Sequence, residues 1–209
     1  GGSESNNLAI KGTLGTYSNR GKHIIISSIE HASVHNQAQR LEEEGFQVSY
    51  LSVDKNGFVN LDKLGELIRK DTILVSIMHV NNEIGTIQDL KAIGNLIKEK
   101  NSNTIFHVDA VASFGKLPMK ISEWKADLVS VSGHKIHAPK GVGALYIRDG
   151  LKLRSLVDGG SQEFGMRAGT ENSIGIVGFG EACKIINEDG LEMGLEHTKK
   201  LYNYLKERV

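Results

Sequence analysis

The chemistry this sequence could support starts at Ser132-Gly133-His134-Lys135, which follows the run Asp127 to Val131 and precedes the loop Pro139-Lys140-Gly141-Val142-Gly143. A lysine at a strand end in a partly dry crevice can shed its proton and condense with a carbonyl as a Schiff base. Elsewhere it is an ordinary solvated charge. Asp109 ends a second apolar run, and a carboxylate there is costly to bury unless it meets a cation or several donors. A protonated pyridinium nitrogen would serve, and a plain N-cap or loop carboxylate is the competing reading. His31, after Glu30 at a strand-to-helix junction, could give a flat ring a face to lie against, or could cap the helix. Gly2-Ser3 opens a helix-like stretch whose first N–H groups and hydroxyl suit a phosphate, and equally an ordinary cap; Ser132 and His134 could add donors.

The segments around these residues alternate in kind. β-rich runs occur at His23 to Ser27, Val48 to Val53, Ile73 to His79, Ile105 to Asp109, Leu128 to Ser132 and Ala144 to Ile147. Several are apolar without clean alternation, the pattern of strands covered on both faces. Helix signals lie between and beyond them: Ala32 to Glu44 before Gly45, Leu61 to Lys70 after Asn60, Leu90 to Lys100 after Asp89, Phe179 to Ile186, and Leu191 to Val209. Gly150 to Gly160 reads as a loop. The expectation is an α/β domain with a mostly parallel central sheet and helices on both faces. Such sheets take ligands beyond the carboxyl ends of their strands, where His79 to Glu83, Asp109 and Ser132 to Lys135 all fall.

At 209 residues and 39% hydrophobic content the chain suits one good-sized core. Its 25 basic and 25 acidic residues point to neither nucleic acid nor an anionic membrane as partner, and favour a small ligand. No apolar run approaches the roughly twenty residues of a membrane span, and a single cysteine, Cys183, allows no internal disulfide; the expected setting is the cytoplasm. The chain opens without methionine and ends within a helical pattern, so a fragment is expected; Gly1-Gly2-Ser3 could also be a linker scar. His134, His137, His107 and Asp109 have no recognisable metal spacing, Gly141-Val142-Gly143 precedes its strand and so is no dinucleotide fingerprint, and Lys98 to Lys100 and Lys199-Lys200 read as solvated helix faces.

Six ordered motifs carry a resemblance. They are Gly2-Ser3-Glu4-Ser5-Asn6-Asn7-Leu8-Ala9, Glu30-His31, Val80-Asn81-Asn82-Glu83-Ile84-Gly85, His107-Val108-Asp109-Ala110, Ser132-Gly133-His134-Lys135 and Arg167-Ala168-Gly169-Thr170-Glu171-Asn172. Together they resemble the cysteine desulfurases of the class V aminotransferase group, enzymes that use pyridoxal 5'-phosphate (PLP). The resemblance implies the large domain of PLP-dependent transferase fold type I over residues 1–209, with the N-terminal segment and small C-terminal domain of the family absent. It implies Lys135 as the lysine that holds PLP and later carries a proton, Asp109 on the pyridine nitrogen, and His31 stacked on the ring and suspected in acid–base work. Asn82 would lie beside the cofactor near the substrate carboxylate. Gly2, Ser3, Ser132 and His134 match phosphate binders, and Thr170 matches a threonine that reaches the phosphate of a neighbouring subunit in a homodimer. The implied reaction converts L-cysteine to L-alanine and passes sulfur as a persulfide to an acceptor or scaffold protein, for iron–sulfur cluster or thio-cofactor assembly.

Two departures qualify it. Ala112 stands where the family usually has a glutamine that donates to the cofactor's phenolic oxygen. The family's sulfur-accepting cysteine lies well beyond Thr170, and Cys183 reads as an inward-packed helix residue rather than a substitute. The alternatives are another class V PLP enzyme, an aminotransferase or selenocysteine lyase, and a truncated domain that is catalytically silent.

Overall fold

The fold follows from alternating strands and helices. In a computed structural model that describes residues 1–188 and 191–208, the chain runs α1 (Gly2–Tyr17), β1 (His23–Ser27), α2 (Ala32–Glu43), β2 (Gln47–Leu51), α3 (Leu61–Leu67), β3 (Thr72–Ser76) and α4 (Leu90–Lys100). It continues with β4 (Ile105–Asp109), α5 (Ile121–Trp124), β5 (Leu128–Ser132), β6 (Gly143–Ile147), α6 (Ser173–Glu188) and α7 (Leu191–Lys206). Val209, the expected end of the last helix, lies outside the described residues. The sheet order is β2-β1-β3-β4-β5-β6, all parallel except β6, which runs antiparallel to β5.

Why the strands look apolar throughout is visible in the two cores. Ile25, Val75, Val108 and Val129 pack with Leu64, Ile93, Ile97 and Trp124 on one face. Their neighbours Ile24, Ile26, Leu74 and Leu128 pack with Ile10, Leu14, Val34 and Leu41 on the other. Each strand therefore needs a hydrophobic side chain on both faces. Local signals stop α2 and start α3 and α4 where expected. Gly45 takes φ +84°, and the Asn60 and Asp89 side chains accept from the N–H groups of Lys63 and Ala92.

Three expectations need correction. β2 and β3 stop at Leu51 and Ser76, earlier than Val53 and His79, although the Ile77 and His79 N–H groups still bond to the His107 and Asp109 carbonyls. Helix α3 ends at Leu67 because Ile68 is extended and the Arg69 N–H turns to Thr72 Oγ1. Lys98 is not a solvated face: its ammonium lies 2.5 Å from Asp127 Oδ2, and the Thr104 carbonyl accepts from it as well. A buried carboxylate outcompetes water for that cation, and Arg148 binds the other oxygen of Asp127 at 2.6 Å.

Gly94 of α4 lies so close to the chain after β4 that a Cβ there would sit 1.8 Å from the Trp124 carbonyl oxygen. Backbone cannot yield as a flexible side chain can, so Gly94→Ala is expected to cost about 3 kcal/mol or more in urea unfolding. A loss below about 1 kcal/mol would contradict the close approach.

Candidate cofactor-binding and active site

The strand order reverses direction between β1 and β3, and this opens a crevice beyond their carboxyl ends. A cavity of about 370 Å³ occupies it. Lys135, Asp109, His31, Asn82, Ser132, His134, Gly2 and Ser3 all line this space, although they come from five separate stretches of sequence. Thr170 is the one expected site residue that does not; it is exposed on the loop before α6.

Each side chain has a local reason for its place. Asp109 is the last residue of β4, only 4% exposed, with Oδ1 accepting from the Val111 N–H at 2.9 Å and Oδ2 from Asn6 Nδ2 at 2.7 Å. His31 is the N-cap of α2; its Nδ1 accepts from the Ser33 N–H at 3.1 Å and lies 2.8 Å from Ser33 Oγ. Capping and lining the cavity are thus compatible roles. Ser132 ends β5 and its hydroxyl meets His134 Nδ1 at 2.8 Å. Lys135 follows on the 3₁₀ turn Gly133–Ile136. It is exposed at the cavity rim, not enclosed in the partly dry crevice expected, because that turn carries it outward from the strand end.

Electrostatics single out two buried carboxyls. Burial pushes Asp109 above its ordinary range, against the pull of the Val111 N–H, the Asn6 amide, His31 and Lys135. Glu30, just before His31, is raised to about 8 by burial, with Ser27 Oγ at 2.5 Å and the Met78 N–H at 2.7 Å on its Oε1. It therefore ties the end of β1 to the chain leaving β3 as a neutral group at pH 7. Neither Glu30 nor Asn6 stood out as a site residue in the sequence. Their partners lie far along the chain, and no short-range pattern marks such contacts.

The donor set fits PLP. A buried carboxyl whose proton affinity is raised is suited to a cationic ring N–H. At another part of the lining, the first turn of α1, with no side-chain cap on its N–H groups, lies with Ser132 and His134, a set of donors that would suit a phosphate. A cavity of this size suits a ligand of PLP's dimensions. Ala112 also faces the space, so the methyl presented there supplies no hydrogen bond to a phenolic oxygen. Cys183 is half-buried in α6, where burial raises its thiol and makes the thiolate scarcer.

Comparison with known proteins identifies the family. The family described as aminotransferase class-V matches residues 1–209. The chain belongs to that family. It is 48% identical over 211 residues to the cysteine desulfurase IscS of Vibrio campbellii, covering 100% of this chain and 52% of that protein. It is 50% identical over 203 residues to the IscS of Clostridium botulinum, covering 97% and 50%. A solved NifS-like protein superposes with TM-score 0.95 at 43% identity, over 99% of this chain and 56% of its own. A structure titled "SspA in complex with cysteine" gives 0.84 at 45%, over 88% and 53%. The chain thus spans about half the length of the curated relatives it matches. The α/β fold, with its mostly parallel sheet, is that of the fold type I PLP enzymes.

Beneath Asp109 the same face of β4 carries His107, fully buried between Ser76 Oγ at 2.8 Å and Ser130 Oγ at 3.0 Å. Burial lowers its ring from 6.5 to about 3. The unfolded chain therefore takes up a proton there first, and the stability lent by the neutral ring, complete above pH 6.5, is lost as pH falls towards 3. His107→Gln is expected to be less stable than the parent at pH 7, with the gap narrowing by on the order of 2–3 kcal/mol at pH 4.5 in urea unfolding. An unchanged gap would mean that the ring takes up its proton as readily in the fold as in the unfolded chain.

Proposed function

We propose that the whole protein of which these residues form part is a PLP-dependent cysteine desulfurase that converts L-cysteine to L-alanine and passes the sulfur on as a persulfide. Residues 1–209 are read as its PLP-binding large domain. The observation that carries this reading is the convergence of Lys135, Asp109, His31 and the Ser132–His134 pair on one cavity, in a chain nearly half identical to cysteine desulfurases. The solved relative titled as a complex with cysteine supports the choice of substrate.

When bound, PLP would supply an electron sink for the bonds around the amino acid's α-carbon. The chain's own residues divide the remaining work. Lys135 would be the covalent anchor, and its amine would carry a proton at the α-carbon. Asp109 would hold the positive charge on the ring nitrogen. His31, oriented by Ser33, would offer a face to the ring and exchange protons through Nε2. Gly2, Ser3, Ser132 and His134 would grip the phosphate, and Asn82 would lie near the substrate carboxylate. Thr170, outside the cavity of its own chain, would contact the phosphate of a second copy, which implies a homodimer.

The sulfur-accepting thiol is assigned to a part of the protein outside these residues, since Cys183 is held half-buried within a helix. Its persulfide would serve an acceptor or scaffold protein in iron–sulfur cluster or thio-cofactor assembly. The reading sets the reaction in the cytoplasm, whose reducing conditions keep such a thiol available.

Mixing the chain with PLP is expected to give the visible absorbance of a lysine-linked pyridoxal, which borohydride bleaches as it fixes the cofactor's mass to the peptide containing Lys135. Lys135→Ala should abolish both signals. Identical spectra for parent and variant would remove the lysine assignment and the reading built on it.

A further inference from the structure

Asn6 is 1% exposed, on the second turn of α1, and its amide nitrogen makes two contacts: 2.7 Å to Asp109 Oδ2 and 2.8 Å to Ser33 Oγ. An amide nitrogen carries two hydrogens and accepts nothing, so both bonds run outward from Asn6. With its oxygen occupied by Asn6, the Ser33 hydroxyl has its hydrogen free for His31 Nδ1, 2.8 Å away. One amide thus connects the carboxylate at the end of β4 to the imidazole that caps α2. Its other end shows what this costs: Asn6 Oδ1 is buried with no hydrogen-bond partner among the described residues. An unsatisfied buried carbonyl is unfavourable by about 1–3 kcal/mol, and an apolar side chain would avoid the penalty. Stability alone does not favour asparagine at this position; the two bonds it donates do.

We propose that Asn6 is a positioning residue for the active site, holding Asp109 with one hydrogen of its amide and, through Ser33, His31 with the other. As regards the cofactor, this rests on the function proposed above; the Asn6–Asp109 contact itself does not. The bond to Asp109 is charge-assisted, so it both aims the carboxylate and favours its ionised form. The other titratable groups near Asp109 are Glu30 and His31 at the β1–α2 junction, Lys135 after β5, and His107 two residues back on β4. None of them takes the place of the amide hydrogen on Oδ2.

The test uses this chain without cofactor first. Carbon-13 NMR of the aspartate carboxyls follows the protonation of Asp109, identified by its loss in Asp109→Asn. In Asn6→Ala the carboxyl is expected to take up its proton at higher pH than in the parent, while amide signals away from the site stay put. Ser33→Ala, which breaks only the arm to His31, should leave the Asp109 titration where it is. With PLP added, both variants should bind roughly tenfold more weakly than the parent. An Asp109 titration unmoved in Asn6→Ala overturns the proposal. If Asn6→Ala does not fold, Asn6→Ser, which keeps one donor and loses the other, carries the same reading: its Asp109 titration or its PLP affinity must move, and parent values for both overturn the proposal. Should the parent itself bind no PLP, the function proposed above fails, and the titration still decides the role of Asn6.

Discussion

A carboxylate at the end of a covered strand is the constraint on which this site depends. Asp109 is almost fully removed from water, and burial alone would drive it to its neutral form. What resists that drift is local and specific: an N–H two residues on, an amide from the first helix, and the nearby side chains of His31 and Lys135. Each lies on a different element, so the carboxylate is aimed only when α1, β4, the β1–α2 junction and the turn after β5 are all in place. A cationic ring nitrogen against it would complete the set and tie cofactor binding to the integrity of the sheet.

The scaffold meets that demand by geometry rather than by local strength. Parallel strands deliver their carboxyl ends to one side, and the reversal of order between β1 and β3 keeps the ground there clear of crossing connections. Glu30 bridges that opening by accepting from Ser27 on one side and Met78 on the other, and it does so without adding a second negative charge beside Asp109. Below it, Ser76, His107 and Ser130 form a neutral hydrogen-bonded line across three strands, so the floor of the site is polar and still uncharged. A rigid, uncharged floor leaves Asp109 to set the field above it.

Features whose cause lies within a few residues were legible in the sequence. The caps at Asn60 and Asp89, the stop at Gly45 and the doubly apolar strands needed only local chemistry and periodicity. Lys135, Asp109, His31 and Ser132 could be suspected from strand ends, and the motif resemblance collected them into one site. Contacts made over long separations could not be read in this way. Lys98 looked like one of several helix-surface lysines until Asp127, 29 residues on, took up its charge. Asn6 looked like part of a polar helix start, yet its partner is 103 residues away. The exposure of Lys135 was also hidden, since it depends on how the 3₁₀ turn leaves β5 and not on residue type.

The central claim is that Asp109 holds a positive charge on the ring nitrogen of a bound pyridoxal. Nitrogen-15 NMR of ring-labelled PLP on the full chain reads that charge directly. The account predicts the shift of a protonated pyridine nitrogen across the neutral pH range, collapsing to the unprotonated value in Asp109→Ala. A nitrogen that stays unprotonated in the parent, or stays protonated after the carboxylate is gone, would contradict it.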